Sequence, residues 1–369
     1  MTTETSIHSD LAIPPGEYLE EVVEELGMTK DELARRMSRP ASKLSPIFKG
    51  EKAITPDTAL QLEMVVGVPA HVWLGLESEY RLTLARQQDG IEQERMRDES
   101  RLVHAYCYPQ LVKAGVVAKT TKPLDKVREL RHFFGVASLL AIPNVRRYQA
   151  AFRQGASRSH RRSPEAIAAW LRLAERRATA IDAGVFNAAR LRAALVAIRA
   201  MTLLEPDAFL PELSALLADA GVAFVLLPHF PGTGVHGATF RSGRDRAVLA
   251  MTIRGAWADI FWFSLFHELG HLLLHDKRDV IIESVETDSS CSAREAEADA
   301  FARDTLVAPQ DYARFVSHGD FMPPAIQAFA ATIGLAPGVI VGRLQHEQCL
   351  KHEWGNDLRV RYRWAEDAA

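Results

Sequence analysis

The sequence predicts a mainly α protein carrying one small β-sheet, an α+β fold. Three observations predict it. Residues 16–205 divide into short amphipathic or Ala-, Leu- and Arg-rich segments separated by Gly and Pro. Between 222 and 253 the pattern changes to three short apolar runs bounded by turn residues. Two longer helical stretches follow, at about 257–275 and 293–308. Of the 369 residues, 47% are hydrophobic and 25% charged, which excludes general disorder. At roughly 100–200 residues per domain the length fits about two or three domains.

The first helix is marked by Tyr18, Val22, Val23 and Leu26 and ends at Gly27. Thr29 with Glu32 three residues on has capping-box spacing and starts the second, which breaks at Pro40. SKLSPIFKG forms the third, ended by Gly50. Thr55-Pro56 restarts the chain as a fourth helix, with Pro at its favoured first position. A fifth covers about Ala70–Gln88. Residues 90–205 read as mostly helical, interrupted at Pro109, Pro123, Pro143 and GASRSHRRSP, which is expected to be an exposed loop. PDAFLPELSALLADAG is a helix ended by Gly221. VAFVLL (222–227), HGATF (236–240) and RAVLAMTI (246–253) are strands, the last two linked by the hairpin-like RSGRD. A long helix spans about Trp257–His275, and AREAEADAFARDTLVA another, ended by Pro309. Residues 315–369 read as two short helices and a basic tail, RVRYRW. The expected divisions are 12–88, 89–205, 206–312 and 313–369, without internal repeats.

No run reaches the 18 or so apolar residues a membrane span needs, and the N-terminus lacks the basic and apolar regions of a signal peptide. The three cysteines, Cys107, Cys291 and Cys349, are too widely spaced for a CxxC knuckle. The expected location is the cytoplasm, with no membrane partner. Charge is uneven. Residues 1–80 carry 7 Lys+Arg against 14 Asp+Glu, whereas 119–200 carry 17 against 5. Arg158, Arg161 and Arg162 fall in this basic segment, which offers a surface for an anionic signal or simply a solvated face.

The sharpest chemical signal is His267-Glu268-Leu269-Gly270-His271. Residues i and i+4 share a helix face, so the two imidazoles can bind one metal ion. Glu268 lies near enough to that face to take a proton from water activated by zinc. The pattern sits inside the apolar FWFSLFHELGHLLLH, where buried polar groups without a purpose are costly. Gly270 permits close approach of another element. A third ligand is expected from EAEAD, which begins 24 residues after His271. Glu295 and Asp299 share a face, so Glu295 as ligand leaves Asp299 placed to hold a ligand histidine through its other nitrogen. Glu297 is the alternative third ligand, but leaves no such partner. His275 continues the face and reads as a C-terminal histidine favoured by the helix dipole. Tyr312, His229, His236 and Arg254 are unranked candidates for stabilising an oxyanion.

HELGHLLLH followed by EAEADAFA resembles the ImmA/IrrE family of zinc metallopeptidases. Glu295, Ala298, Asp299, Phe301 and Ala302 match that family's second motif. The similarity covers about 206–312. It implies a gluzincin-like fold with a small sheet on the HExxH helix, two His and one Glu as Zn2+ ligands, and Glu268 as general base. Family members cleave a repressor in response to stress or a mobile-element signal. TLVAP replaces the usual end of the second helix, away from the ligands.

Residues 12–85 resemble the HigA-like branch of the Xre helix-turn-helix family, through ELARRM, KGEKAITPDTALQLE and the VPAHVWL ending. In such folds the second helix of the pair enters the major groove. Ser42, Lys43 and Ser45, with the neighbouring Ala41, are the candidates to face bases, and Lys49 and Lys52 to meet phosphates. Gly27–Lys52 holds 7 basic and 3 acidic residues, which suits phosphate contact. Pro46 replaces an exposed polar or basic residue of many relatives.

The function expected is a cytoplasmic, homodimeric transcriptional regulator that binds double-stranded DNA and carries a zinc metallo-endopeptidase acting on a regulatory protein. The alternatives are a DNA-binding transcription factor or antitoxin whose peptidase-like domain senses without turnover.

Overall fold

The computed structural model describes residues 11–87, 90–149, 151–152, 162–242, 246–253, 255–275, 281–282 and 289–365. The chain forms two compact units, Met1–Arg95 and Met96–Ala369. The architecture is α+β, as the sequence predicts.

The first unit holds α1 (Pro15–Glu25), α2 (Lys30–Arg36), α3 (Ala41–Phe48), α4 (Pro56–Val66) and α5 (Ala70–Gln87). Thr29 accepts the backbone N–H of Glu32, so the cap expected there forms, and Thr55 likewise accepts from the Thr58 N–H. One core gathers Leu19, Leu33, Leu44, Ile47, Leu62 and Trp73. Arg39, in the turn between α2 and α3, donates to Thr58 and pairs with Asp57, fastening that turn to the start of α4. The buried Glu77 carboxylate accepts from the Ile54 N–H and pairs with Arg81, tying α5 to the loop after α3.

The unit boundary falls within α6 (Gly90–Ser100); the second unit then holds α7 (Tyr108–Lys113), α8 (Pro123–Phe134), α9 (Pro164–Thr179), α10 (Ala188–Ala200) and α11 (Pro206–Asp219). The sheet comprises β1 (Val222–Leu226), β2 (Gly237–Ser242), β3 (Arg246–Met251) and β4 (Ile281–Ile282), in the order β1-β3-β2-β4. β1 runs parallel to β3, while β2 is antiparallel to β3 and β4. α12 (Ala258–Leu274), α13 (Ser289–Leu306), α14 (Pro309–His318), α15 (Pro323–Ile333) and α16 (Pro337–His346) complete the unit.

Strand side chains alternate between faces, and both faces of this sheet are covered. Ala223, Val225, Phe240 and Val248 join the core of α9, where Trp170 and Leu173 are buried. Val222, Phe224, Leu249 and Met251 join Phe209 of α11 and Phe261, Leu265 and Leu269 of α12. The α12 helix therefore rests on the sheet with one entire side in the core.

Three features depart from the sequence reading. β4 lies in a stretch assigned no strand. Pro309, read as the end of one helix, is the first residue of α14. The basic tail is not a free extension. Arg359 forms a two-pronged pair with the buried Asp259 at 3.0 and 2.8 Å, and the Tyr362 hydroxyl accepts from the Trp262 indole at 3.0 Å. The Ala258 N–H also donates to the Val360 carbonyl. The tail thus clamps the start of α12.

Among the described residues no single helix is long and apolar enough to cross a membrane; the bent pair α15 and α16 meets the length and composition test only when taken together. Arg158 and Arg161 lie outside the described residues. Arg162 is half-buried beside Gly234.

Candidate functional site

The site begins with the apolar character of α12. Phe261, Trp262, Leu265, Phe266 and Leu269 drive the helix into the core, and His267, Glu268 and His271 are carried in with them. Gly270 controls the approach of α13. A Cβ there would lie 3.3 Å from the Cα of Ala298 and 3.0 Å from the Phe301 ring, so the two helices meet almost backbone to backbone. That contact brings Glu295 over the histidine pair.

The Oε2 of Glu295 lies 3.1 Å from Nε2 of His267 and 3.6 Å from Nε2 of His271, and the two Nε2 atoms are 2.9 Å apart. On the far side of its ring, Nδ1 of His267 meets Oδ1 of Asp299 at 2.8 Å. This contact assigns a proton to Nδ1 and leaves Nε2 a lone pair. A lone pair and a carboxylate oxygen at 3.1 Å repel; a cation between them removes the conflict. Two imidazole nitrogens and one carboxylate oxygen, all within 4.8 Å of one another, fit a three-ligand zinc site with an open fourth position.

The electrostatics call for positive charge beside Glu295. Burial alone would raise its carboxyl, but hydrogen bonds and charge from His267 and His271 when protonated outweigh burial and hold it at about 2; with the rings neutral, a cation has to supply that charge. Burial pushes His271 below the usual 6.5, favouring its neutral form even though Glu295 acts in the other direction. Nδ1 of His271 has no hydrogen-bond partner among the described residues, so only His267 has its ring fixed from behind.

Glu268 is fully buried, and the start of β2 lies directly against it. A Cβ at Gly237 would fall 2.7 Å from its Cγ and 2.8 Å from its Oε1. Only a glycine leaves this carboxylate its place. Sequence reasoning missed Gly237, although a glycine inside a strand pattern is the ordinary mark of close approach.

The remaining candidates fall elsewhere. Glu297 is largely exposed, and its carboxylate stands 3.7 Å from His275, outside the group formed by His267, His271 and Glu295. His275 is held by the Arg294 carbonyl. His229 lies 3.3 Å from the Thr233 hydroxyl, and the Tyr312 ring is covered by the Arg343 guanidinium at 3.6 Å. Arg254 lies outside the described residues. His236 lines a cavity of about 450 Å³ that also touches Asp299, Ser264 and Phe263.

In the first unit, α3 buries Leu44, Ile47 and Phe48 and turns Ser42, Lys43 and Ser45 outward, with Ala41 beside them. Lys49 and Lys52 are exposed just beyond its end. Pro46 lies inside α3, on neither its most exposed nor its most buried side. The outward face of α3 is thus short, polar and basic at one end.

No protein-family model matches the chain. The uncharacterized HTH-type transcriptional regulator YddM of Escherichia coli (strain K12) is 31% identical over 83 residues, 22% of this chain and 86% of its own. Virulence-associated protein I of Dichelobacter nodosus is 36% identical over 77 residues, 21% of this chain and 71% of its own. Among solved structures, an addiction module antidote protein of the HigA family from Coxiella burnetii is 33% identical, covering 22% of this chain and 91% of that one with a TM-score of 0.21. The Pseudomonas aeruginosa antitoxin HigA, solved with the higBA promoter, is 30% identical, covering 23% and 92% with a TM-score of 0.22. The similarity is carried by about 80 N-terminal residues.

Proposed function

The chain belongs, through about 80 N-terminal residues, to the HTH-type transcriptional regulators, and from that premise we propose that it is a DNA-binding regulator whose second unit is a zinc-dependent metallo-endopeptidase acting on a regulatory protein. One observation carries the peptidase reading: Glu295 shares a single carboxylate oxygen between His267 and His271, with Glu268 buried next to them on the same helix.

Zinc held there by His267, His271 and Glu295 would polarise a carbonyl and acidify a water. Glu268 would hold the proton lost by the attacking water on a carboxylate oxygen and hand it to the departing amine. Asp299 holds His267 through Nδ1 and so fixes the direction of Nε2. Gly237 keeps the Glu268 carboxylate from being displaced by the sheet. On the DNA side, Ser42, Lys43 and Ser45 meet base edges while Lys49 and Lys52 meet phosphates, and a homodimer would read two half-sites.

The experiment is to co-express the wild-type chain or Glu268→Gln with the proteins encoded beside it and to look for a cut protein. Cleavage with wild type alone supports the reading. No cut protein under any inducing condition, together with equal transcriptional control by both forms, overturns it.

A further inference from the structure

We propose that α8, with the ends of α7 and α9, forms a second face for double-stranded DNA, one that meets phosphates and reads no sequence. The inference rests on the DNA-binding reading above and extends it to the second unit.

The face is assembled around α8. Lys126, Glu129 and Phe133 follow at intervals of three and four, so they share one side of the helix, and Lys122 stands at its N-cap. From Lys122 to Phe133 the chain rises about 16 Å. Lys126 lies over the Tyr108 ring of α7 at 5.7 Å, and Glu129 accepts the Ala118 N–H at 2.8 Å, which brings Lys119 alongside. At the other end of the stripe the Arg176 guanidinium covers the Phe133 ring at 5.6 Å. Arg177 donates to the Ala114 carbonyl at 3.0 Å, next to Lys113 at the end of α7. Lys113, Lys119, Lys122, Arg176 and Arg177 are exposed, and Lys126 is half-buried.

The carboxylates nearby are already engaged. Asp125 pairs with Arg128, Glu129 is taken up by Ala118, and Glu175 is shared by Arg147 and Arg172. Among the described residues none of the six cations pairs with a carboxylate. Lys126, Arg176 and Arg177 are also held, by two rings and a carbonyl, so they lose less freedom on meeting a phosphate.

The occupant follows from the charge of the other unit. Residues 1–80 carry 14 acidic and 7 basic residues, and all seven basic ones fall between Gly27 and Lys52 with only three of the acidic ones. Outside that stretch the helix-turn-helix unit repels phosphate. Much of the affinity of a DNA-binding protein comes from cations that displace the counterions of phosphates. Residues 119–200, with 17 Lys+Arg against 5 Asp+Glu, are where this chain carries them. Tethering to a unit already on DNA raises the effective concentration of the face near the same duplex, and phosphate contacts add affinity without a new sequence requirement.

The test combines Lys119→Gln, Lys122→Gln and Arg176→Gln in the full chain. Binding to a fragment of the chain's own promoter and to an unrelated duplex of equal length is measured at several salt concentrations. The variant binds both duplexes about 50–500-fold more weakly at about 0.1 M salt, and its slope of log affinity against log salt is shallower by about 2–3. The preference for the promoter and the melting temperature stay as in wild type. Arg314→Gln, Lys351→Gln and Arg363→Gln together remove the same charge from other exposed positions and change affinity less than about three-fold. Should the first variant melt early, Lys119→Gln with Lys122→Gln decides, with a slope change of about 1–2. Equal slopes for wild type and variant, or a loss as large in the control, overturn the face while the helix-turn-helix reading stands. A variant that binds tighter than wild type also overturns it and means that the face holds the acidic first unit. A wild-type chain that binds neither duplex at low salt overturns the DNA-binding reading, and the face with it.

Discussion

Gly237 and Glu268 occupy adjoining space so completely that a single methyl group on the strand would lie 2.8 Å from the carboxylate oxygen. The first residue of β2 is thus matched to the second residue of the HExxH pattern, and the sheet helps to place the carboxylate proposed as general base. Gly237→Ala should push Glu268 off its position. The account expects full zinc content, a stability loss of about 1–3 kcal/mol, and cleavage of the protein partner reduced about 100-fold. Metal analysis, thermal melting and the co-expression assay check the three parts.

Asp299→Asn keeps the size of the side chain but removes the carboxylate that holds Nδ1 of His267 at 2.8 Å. Zinc affinity should fall about 10–100-fold, as for other groups that orient a ligand histidine. Competition with a chelator of known affinity measures it. Affinity equal to wild type would mean that packing alone orients the ring.

A pH effect is expected from Glu99, far along the chain from His267, His271 and Glu295. Burial would raise its carboxyl, but Arg131, the Ser138 hydroxyl and the Leu139 N–H hold it below the ordinary 4.5. A carboxyl depressed by folding contributes stability that is complete above its unfolded value and is lost as pH falls through the folded value. Acid below about pH 4.5 should therefore destabilise wild type more than Glu99→Gln. At neutral pH the variant should be less stable by about 3 kcal/mol, because the half-buried Arg131 is left without its charged partner. Melting curves from pH 3 to 7 give both comparisons.

For the first unit, Lys43→Ala, Lys49→Ala and Lys52→Ala should each weaken binding to a fragment of the chain's own promoter. Each lysine that meets a phosphate should lower the slope of log affinity against log salt by about 0.9. Ser42→Ala and Ser45→Ala should change sequence preference more than the salt slope. Gel shifts at several salt concentrations separate the two kinds of contact.

The N-terminal helices could be read from the sequence because their ends carry local signals. Thr29 and Thr55 cap through their own side chains, and Gly27 and Gly67 adopt the positive φ that ends a helix cheaply. β1 to β3 could be read because alternate residues serve two covered faces and the runs are short. β4 could not, since two residues carry no periodicity. α14 was hidden because Pro309 marks both a stop and a start. The α9 helix shows a different limit. Its Arg content suggested a solvated module, but Ala166, Ala169, Trp170 and Leu173 place one side of it on the sheet. In the site, the HExxH spacing was local and visible. The roles of Gly237 and Arg359 depend on residues far apart in sequence that only the fold brings together.

The central claim is that His267, His271 and Glu295 hold one zinc ion while Glu268, outside the ligand set, acts as the base. Its most direct test is the zinc content of the purified full chain beside Glu295→Ala, Glu297→Ala and Glu268→Gln. The account predicts about one zinc per chain in wild type, Glu297→Ala and Glu268→Gln, and almost none in Glu295→Ala. A Glu295→Ala chain that keeps its zinc, or a wild-type chain that takes up none from zinc-containing buffer, would contradict it.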